Sequence, residues 1–175
     1  MDMFAEYIVK RKKEAVHYIQ AVLYVLAAPL ISVVIFILGI PFPVISSIVT
    51  LLIAGVWYGA VMLIKNKNIE YEYALTNGEL DVDRIIARRK RKRILSVHCR
   101  IFEIFAPLED EKYSAYKNIK TIDVAREKNS ATAYFAVFEQ GGEKTCLIFE
   151  TSLNMRNIIK KYTGNRAFIR MGDDE

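Results

Sequence analysis

Two periodicities divide the chain. From Ala15 to Ile64 no Asp, Glu, Lys or Arg interrupts an apolar sequence, a run about twice the ~20 residues a helix needs to cross a hydrocarbon core. Gly39-Ile40-Pro41-Phe42-Pro43 breaks the run, because two prolines flanking one aromatic continue neither helix. The pattern predicts two transmembrane helices, about 17–38 and 44–64, with a kink at Pro29 in the first. Behind them the period becomes two: Ile69, Tyr71, Tyr73 and Leu75 alternate with Glu70, Glu72, Ala74 and Thr76, as in a strand with one buried face. Asn77-Gly78 suits a type I′ turn. That turn sets Thr76 against Glu79, Leu75 against Leu80, Tyr73 against Val82 and Glu72 against Asp83. The last pair is unfavourable, with Arg84 close enough to offset it. Ile85-Ile86 breaks the alternation and predicts a bulge near Arg84.

Further strands follow. Leu95–Phe105 reads as one strand ended by Pro107, 108–118 as a loop or short helical turn, and Ile119–Arg126 as a strand with Ile122 and Val124 inward. Ala131–Glu139 is apolar on both faces and therefore central, and Gly141-Gly142 turns it into Glu143–Glu150. Thr151 or Ser152 then caps a helix with Met155, Ile158, Ile159 and Tyr162 on one face, closed by Gly164. Ala167–Glu175 reads as frayed.

The fold class is therefore α+β: a two-helix transmembrane hairpin, then an antiparallel β-sandwich or barrel of six or seven strands with one C-terminal α-helix. Residues 1–16 form a basic N-terminal segment, 17–64 the hairpin, 65–170 the soluble domain and 171–175 an acidic tail. In the first segment Phe4, Tyr7 and Ile8 stand at helical spacing. They predict either an interfacial helix or a frayed start to the first span.

The stretch Tyr73-Ala74-Leu75-Thr76-Asn77-Gly78-Glu79-Leu80 resembles the Y-x-L-T-x-x-x-L opening of bacterial PH-like domains attached to membrane spans. Phe105-Ala106-Pro107 and Glu150-Thr151-Ser152 extend the resemblance. Nearly the whole chain is similar to a family of bacterial membrane proteins with two transmembrane helices and a cytoplasmic PH-like domain. The resemblance implies a pleckstrin-homology-like fold and no particular activity. Eukaryotic domains of this fold bind phosphoinositides through a basic first loop. Here the Asn77-Gly78 turn is read as that loop and is uncharged, so that site does not transfer.

Charge adds an orientation and a candidate site. Lys10, Arg11, Lys12 and Lys13 precede the first span and Lys65 and Lys67 follow the second, while the connecting turn has no Lys or Arg. Both termini of this multi-pass protein are expected in the cytoplasm. The net charge is +5, and Arg88, Arg89, Lys90, Arg91, Lys92 and Arg93 form one basic block. Because the second strand of the hairpin returns toward the spans, the block is expected to contact anionic lipid headgroups of the cytoplasmic leaflet. It would orient the domain toward a cytoplasmic protein partner. The alternative is a scaffold or accessory subunit of a larger membrane complex, with the block a solvated turn or topology signal.

Other classes find less support. Nucleic-acid binding is not expected, since the block lacks interleaved stacking aromatics. No hydrolase, metalloprotease, P-loop or dinucleotide motif is present, and Asp81 and Asp83 read as a solvated face. Cys99 and Cys146 show no metal or disulfide spacing, and neither cofactor nor metal is expected. The spans hold no charge to mark an ion path. Gly55 and Gly59 form a G-x-x-x-G that lets a helix approach closely, either the first span or a second copy.

Overall fold

The computed structural model describes residues 3–41, 46–127, 130–164 and 167–171. The chain forms two compact units, Lys13–Asn68 and the combination of Met1–Lys12 with Ile69–Glu175.

The first unit holds α1 (Ala15–Gly39) and α2 (Ser46–Lys65). Both are long and apolar enough to cross a membrane, and they fit a two-helix membrane anchor. Only Ala28 is buried in α1 and no described residue is buried in α2, so the exposed surface is a sleeve of Leu, Ile, Val and Phe. Such a surface is far larger than the apolar patches tolerated in water. α1 continues through Pro29. The helices meet where a Cβ on Gly39 would lie 2.5 Å from Val49 Cγ2. Phe42, Pro43 and the predicted start of the second span at Val44 lie outside the described residues.

In the other unit the first sheet has the order β1-β2-β3-β4, built from β1 (Phe4–Lys10), β2 (Ile69–Thr76), β3 (Glu79–Ile86) and β4 (Lys90–His98). β1 corrects the helical reading of the N-terminus. Phe4–Lys10 pairs antiparallel with β2 from Phe4↔Thr76 to Lys10↔Glu70, which buries Ala5 and Val9 beside Leu75 and Tyr71. The physical reason is tertiary: seven residues make a poor isolated helix, whereas β2 offers a ready ladder. The loop between the first two strands is therefore not Asn77-Gly78 but the stretch that carries α1 and α2.

The β2–β3 register is the predicted one, including Glu72↔Asp83, with Asn77 at φ +50° and Gly78 at φ +88°. Gly78 is also required for space, since a Cβ there would sit 2.6 Å from the Tyr162 ring. The bulge falls one step from Arg84, at Val82/Asp83, and its extra residue is Ile94 on β4.

Leu95–Phe105 is not one strand. A short 3-10 turn at Cys99–Ile101 ends β4, with His98 Nδ1 accepting the Arg100 N–H. The chain then enters the second sheet, β6-β8-β7-β5-β9. Its members are β5 (Phe102–Pro107), β6 (Lys120–Asp123), β7 (Ala133–Gln140), β8 (Glu143–Glu150) and β9 (Phe168–Ile169). The described residues thus hold nine strands rather than six or seven. The β6·β8 and β5·β9 pairs are parallel, so the sandwich is mixed rather than purely antiparallel. β9 occupies part of the segment read as frayed, and Arg170 anchors it through Asp110 at 3.0 Å. Residues 172–175 of the acidic tail lie outside the described residues.

The core lies between the sheets and is closed by α3 (Leu153–Thr163). Ser152 Oγ caps that helix by accepting the Met155 N–H, and Gly164 follows it at φ +59°. Tyr73, Leu75 and Leu80 of the first sheet pack with Phe105, Phe138 and Phe149 of the second and with Met155 and Ile159 of α3. β7 is buried on both faces because Tyr113 and Tyr116, from a 3-10 turn at Glu111–Tyr116, cover Phe135 at 5.3 and 6.3 Å.

If β1 completes this sheet, deleting residues 1–10 lowers the unfolding midpoint of the β-sandwich unit, and Val9→Ala costs about 2 kcal/mol. Gly78→Ala costs more than about 1 kcal/mol through its positive φ and the Tyr162 contact. Thermal or urea denaturation of the full chain in detergent measures all three. A deletion that leaves the midpoint unchanged contradicts the role of β1.

Candidate functional site

The basic block occupies the end of the first sheet at which the chain leaves for α1 and returns from α2. The register sets Ile69 against Ile86 and Ile86 against Lys90, and the Arg11 N–H donates to the Ile69 carbonyl at 3.0 Å. Arg88 and Arg89 lie in a tight turn with Ala87 and Arg88 at φ +52° and +55°, whereas Lys90–Arg93 already belong to β4. Most of the block is strand rather than loop.

A strand divides its side chains by parity. Arg91 and Arg93 lie on the outer face, together with Glu70 and Glu72 of β2 and Asp81 and Asp83 of β3. Arg91 hydrogen-bonds Glu72, and its Nη1 is 3.9 Å from Asp83 Oδ2. Arg93 Nε donates to Asp83 Oδ1 at 2.5 Å, while its Nη1 contacts Asp81 Oδ1 at 2.8 Å, off the hydrogen-bond axis. From the turn, Arg88 Nε donates to Glu70 Oε1 at 3.1 Å.

Glu72 and Asp83 are buried beneath these guanidinium groups, at 7% and 6% exposure. The unfavourable Glu72↔Asp83 pairing is thus offset by Arg91 and Arg93, not by Arg84. The hydrogen bond to Asp83 raises the Arg93 pKa further above its ordinary value, so the guanidinium stays charged. Asp83 is consequently a structural acid and not part of a solvated face.

Arg89, Lys90 and Lys92 are exposed and make no ion pair among the described residues. Lys92 lies opposite Arg84, and Arg84 opposite Tyr71, so this row continues the inner face that holds Tyr73 and Val82. Arg84 was outside the predicted site. Parity would have revealed it had Lys90–Arg93 been read as strand.

The other basic residues are dispersed. Arg11 Nη1 donates to the Tyr71 hydroxyl at 2.9 Å, and Lys12 Nζ pairs with Glu127 at 2.7 Å. Lys13 Nζ lies 6.0 Å from the centroid of the Tyr18 ring. Lys10, Lys65 and Lys67 form no ion pair among the described residues. Gly55 and Gly59 do not serve the α1–α2 contact, since a Cβ on either would meet nothing within 4 Å. The expected packing is replaced by contact at Gly39. Cys99 and Cys146 are buried thiols whose pKa burial pushes up to about 12. No group of three or more His, Cys, Asp or Glu side chains among the described residues is placed to hold a metal.

Residues 1–169 match the family model described as bacterial PH-like domain (DUF6106). The chain belongs to this family. The match extends across β1, both apolar helices and the sandwich, so the helical pair lies within the PH-like family pattern rather than beside it. No curated protein and no solved structure matches the chain.

The two faces make opposite predictions for substitutions within one basic block. Arg93→Gln deprives buried Asp83 of its guanidinium hydrogen bond and costs about 1–3 kcal/mol, whereas Lys92→Gln stays within about 0.5 kcal/mol of the parent. Urea denaturation followed by near-ultraviolet circular dichroism separates them. Equal losses would remove the distinction between the faces.

Proposed function

We propose that this chain is a non-enzymatic, membrane-anchored PH-like module. It docks on the anionic cytoplasmic leaflet through the β3–β4 end of its first sheet and presents its remaining surface to a cytoplasmic protein partner. The observation that carries this reading is the shared end of the sheet. Arg11 precedes Ala15 by four residues, Ile69 follows Lys65 by four, and the Ala87–Arg89 turn stands at the same end by register. Each Lys or Arg near an anionic surface contributes about 1 kcal/mol, falling off within a Debye length. Because α1 and α2 supply the anchoring, that energy orients the domain. Integral, multi-pass placement with both termini cytoplasmic belongs to the same proposal, supported by the Lys and Arg flanking the spans.

A second reading has its own support. Arg88, Arg91 and Arg93 already serve internal acids, and the Gly55/Gly59 seam of α2 is open to a further helix. Both suit an accessory subunit or scaffold of a larger membrane complex, or a homo-oligomer formed through the transmembrane helices.

Site-directed labelling tests the placement, and the silent Cys99 and Cys146 thiols give it a clean background. Phe42→Cys in intact cells reacts with an impermeant maleimide. Reaction only after permeabilisation overturns the orientation. In native membranes, a protein cross-link that survives charge reversal of Arg89, Lys90 and Lys92 favours the second reading over leaflet docking.

A further inference from the structure

We propose that Arg84, Lys90 and Lys92, on the inner face of the first sheet, take the phosphate of an anionic glycerophospholipid from the bilayer that holds α1 and α2. The outer-face arginines of the same block do not. The assignment rests on the docking reading and says which side chains perform it.

Half of the basic block is already neutralised. Arg88, Arg91 and Arg93 face Glu70, Glu72, Asp81 and Asp83, and moving them to a lipid phosphate would strip two buried carboxylates of their partners. The inner face has no such compensation among the described residues. Arg84 and Lys92 stand directly opposite each other on neighbouring strands, an arrangement that destabilises a sheet unless an anion lies between the charges. Arg84 Nε is shut off from solvent and has no hydrogen-bond partner, which is rare for a buried donor.

Lys90 follows two residues along the same face, opposite Ile86. The floor of this corner is apolar: Tyr71 is buried and Ile69 and Ile86 are partly so. A phosphate diester matches the donors, since a guanidinium fork and two ammonium groups serve several of its oxygens at once. Its glycerol and acyl portions match the floor. The lipid is preferred to a soluble phosphate compound because the flanking residues of the corner, Arg11 and Ile69, are each four residues from a span. Links of that length reach at most about 14 Å from a span's end.

Full-length protein in nanodiscs provides the test. Hydrogen exchange of the Ala87–Lys92 amides is read in phosphatidylcholine, in phosphatidylcholine with phosphatidylglycerol, and in phosphatidylcholine with added glycerol phosphate. Exchange slows in the phosphatidylglycerol discs alone, and Arg84→Gln or Lys92→Gln each removes about fivefold of that protection. Unchanged exchange of the β7 and β8 amides confirms that the variants remain folded. Should a variant lose that core protection, Lys90→Gln carries the same expectation from an exposed position.

No slowing in phosphatidylglycerol overturns both this assignment and the docking reading. Slowing that the three substitutions leave intact overturns the inner-face assignment alone. Equal slowing by glycerol phosphate overturns the choice of a membrane lipid.

Discussion

The fold depends on the pairing of β1 with β2. These strands are separated in sequence by the whole apolar helical pair, yet they lie side by side from Phe4↔Thr76 to Lys10↔Glu70. The helices are thus an insertion into a β-hairpin. Closing a longer flexible loop adds little entropy, about 0.6 kcal/mol per doubling, and the helices make this loop far from flexible. The Lys10↔Glu70 pair brings both flanks of the helical pair back to one end of the sheet. A β1 strand synthesised before the helices thus waits for β2 synthesised after them.

From that pairing follows the sorting of charge. Once β1 and β2 fix the sheet, β3 brings Asp83 beside Glu72, and two carboxylates at nearly complete burial require cations above them. Arg91 and Arg93 supply these. Lys90–Arg93 therefore form a strand because acidic side chains on β2 and β3 give alternate members cross-strand partners. The remaining members, Lys90 and Lys92, are turned by the same pleat to the other face, where Arg84 joins them. One stretch of like charge is thus divided between ion pairs that hold the sheet on one face and, on the other, cations with no ion pair among the described residues.

Local signals made part of this legible. Asn77-Gly78 with alternating flanks determines a register without outside help, and Gly141-Gly142 and the Ser152 cap act similarly. The doubly apolar β7 announces its central place. Non-local pairing was not legible. Phe4, Tyr7 and Ile8 satisfy a 3.6-residue period as well as a strand, and the partner that decides between them lies more than sixty residues away. The break at Cys99–Ile101 hides within unbroken alternation. The parallel β6·β8 and β5·β9 pairs join segments distant in sequence. At the site, reading six charges as a loop concealed their parity and hence the roles of Glu72, Asp83 and Arg84. In the helical pair, the close approach at Gly39 carries no G-x-x-x-G signal, while a Cβ on Gly55 or Gly59 would meet nothing within 4 Å.

The most direct measurement is a cross-strand disulfide formed in native membranes. Glu6→Cys with Ala74→Cys places the thiols on directly opposed positions of β1 and β2, within reach of a bond. Mild oxidation should join them rapidly within one chain, while Lys10→Cys with Ala74→Cys, displaced by four residues on β1, should not. Failure of the opposed pair to join, or equal joining of the displaced pair, would contradict the β1–β2 pairing on which the account stands.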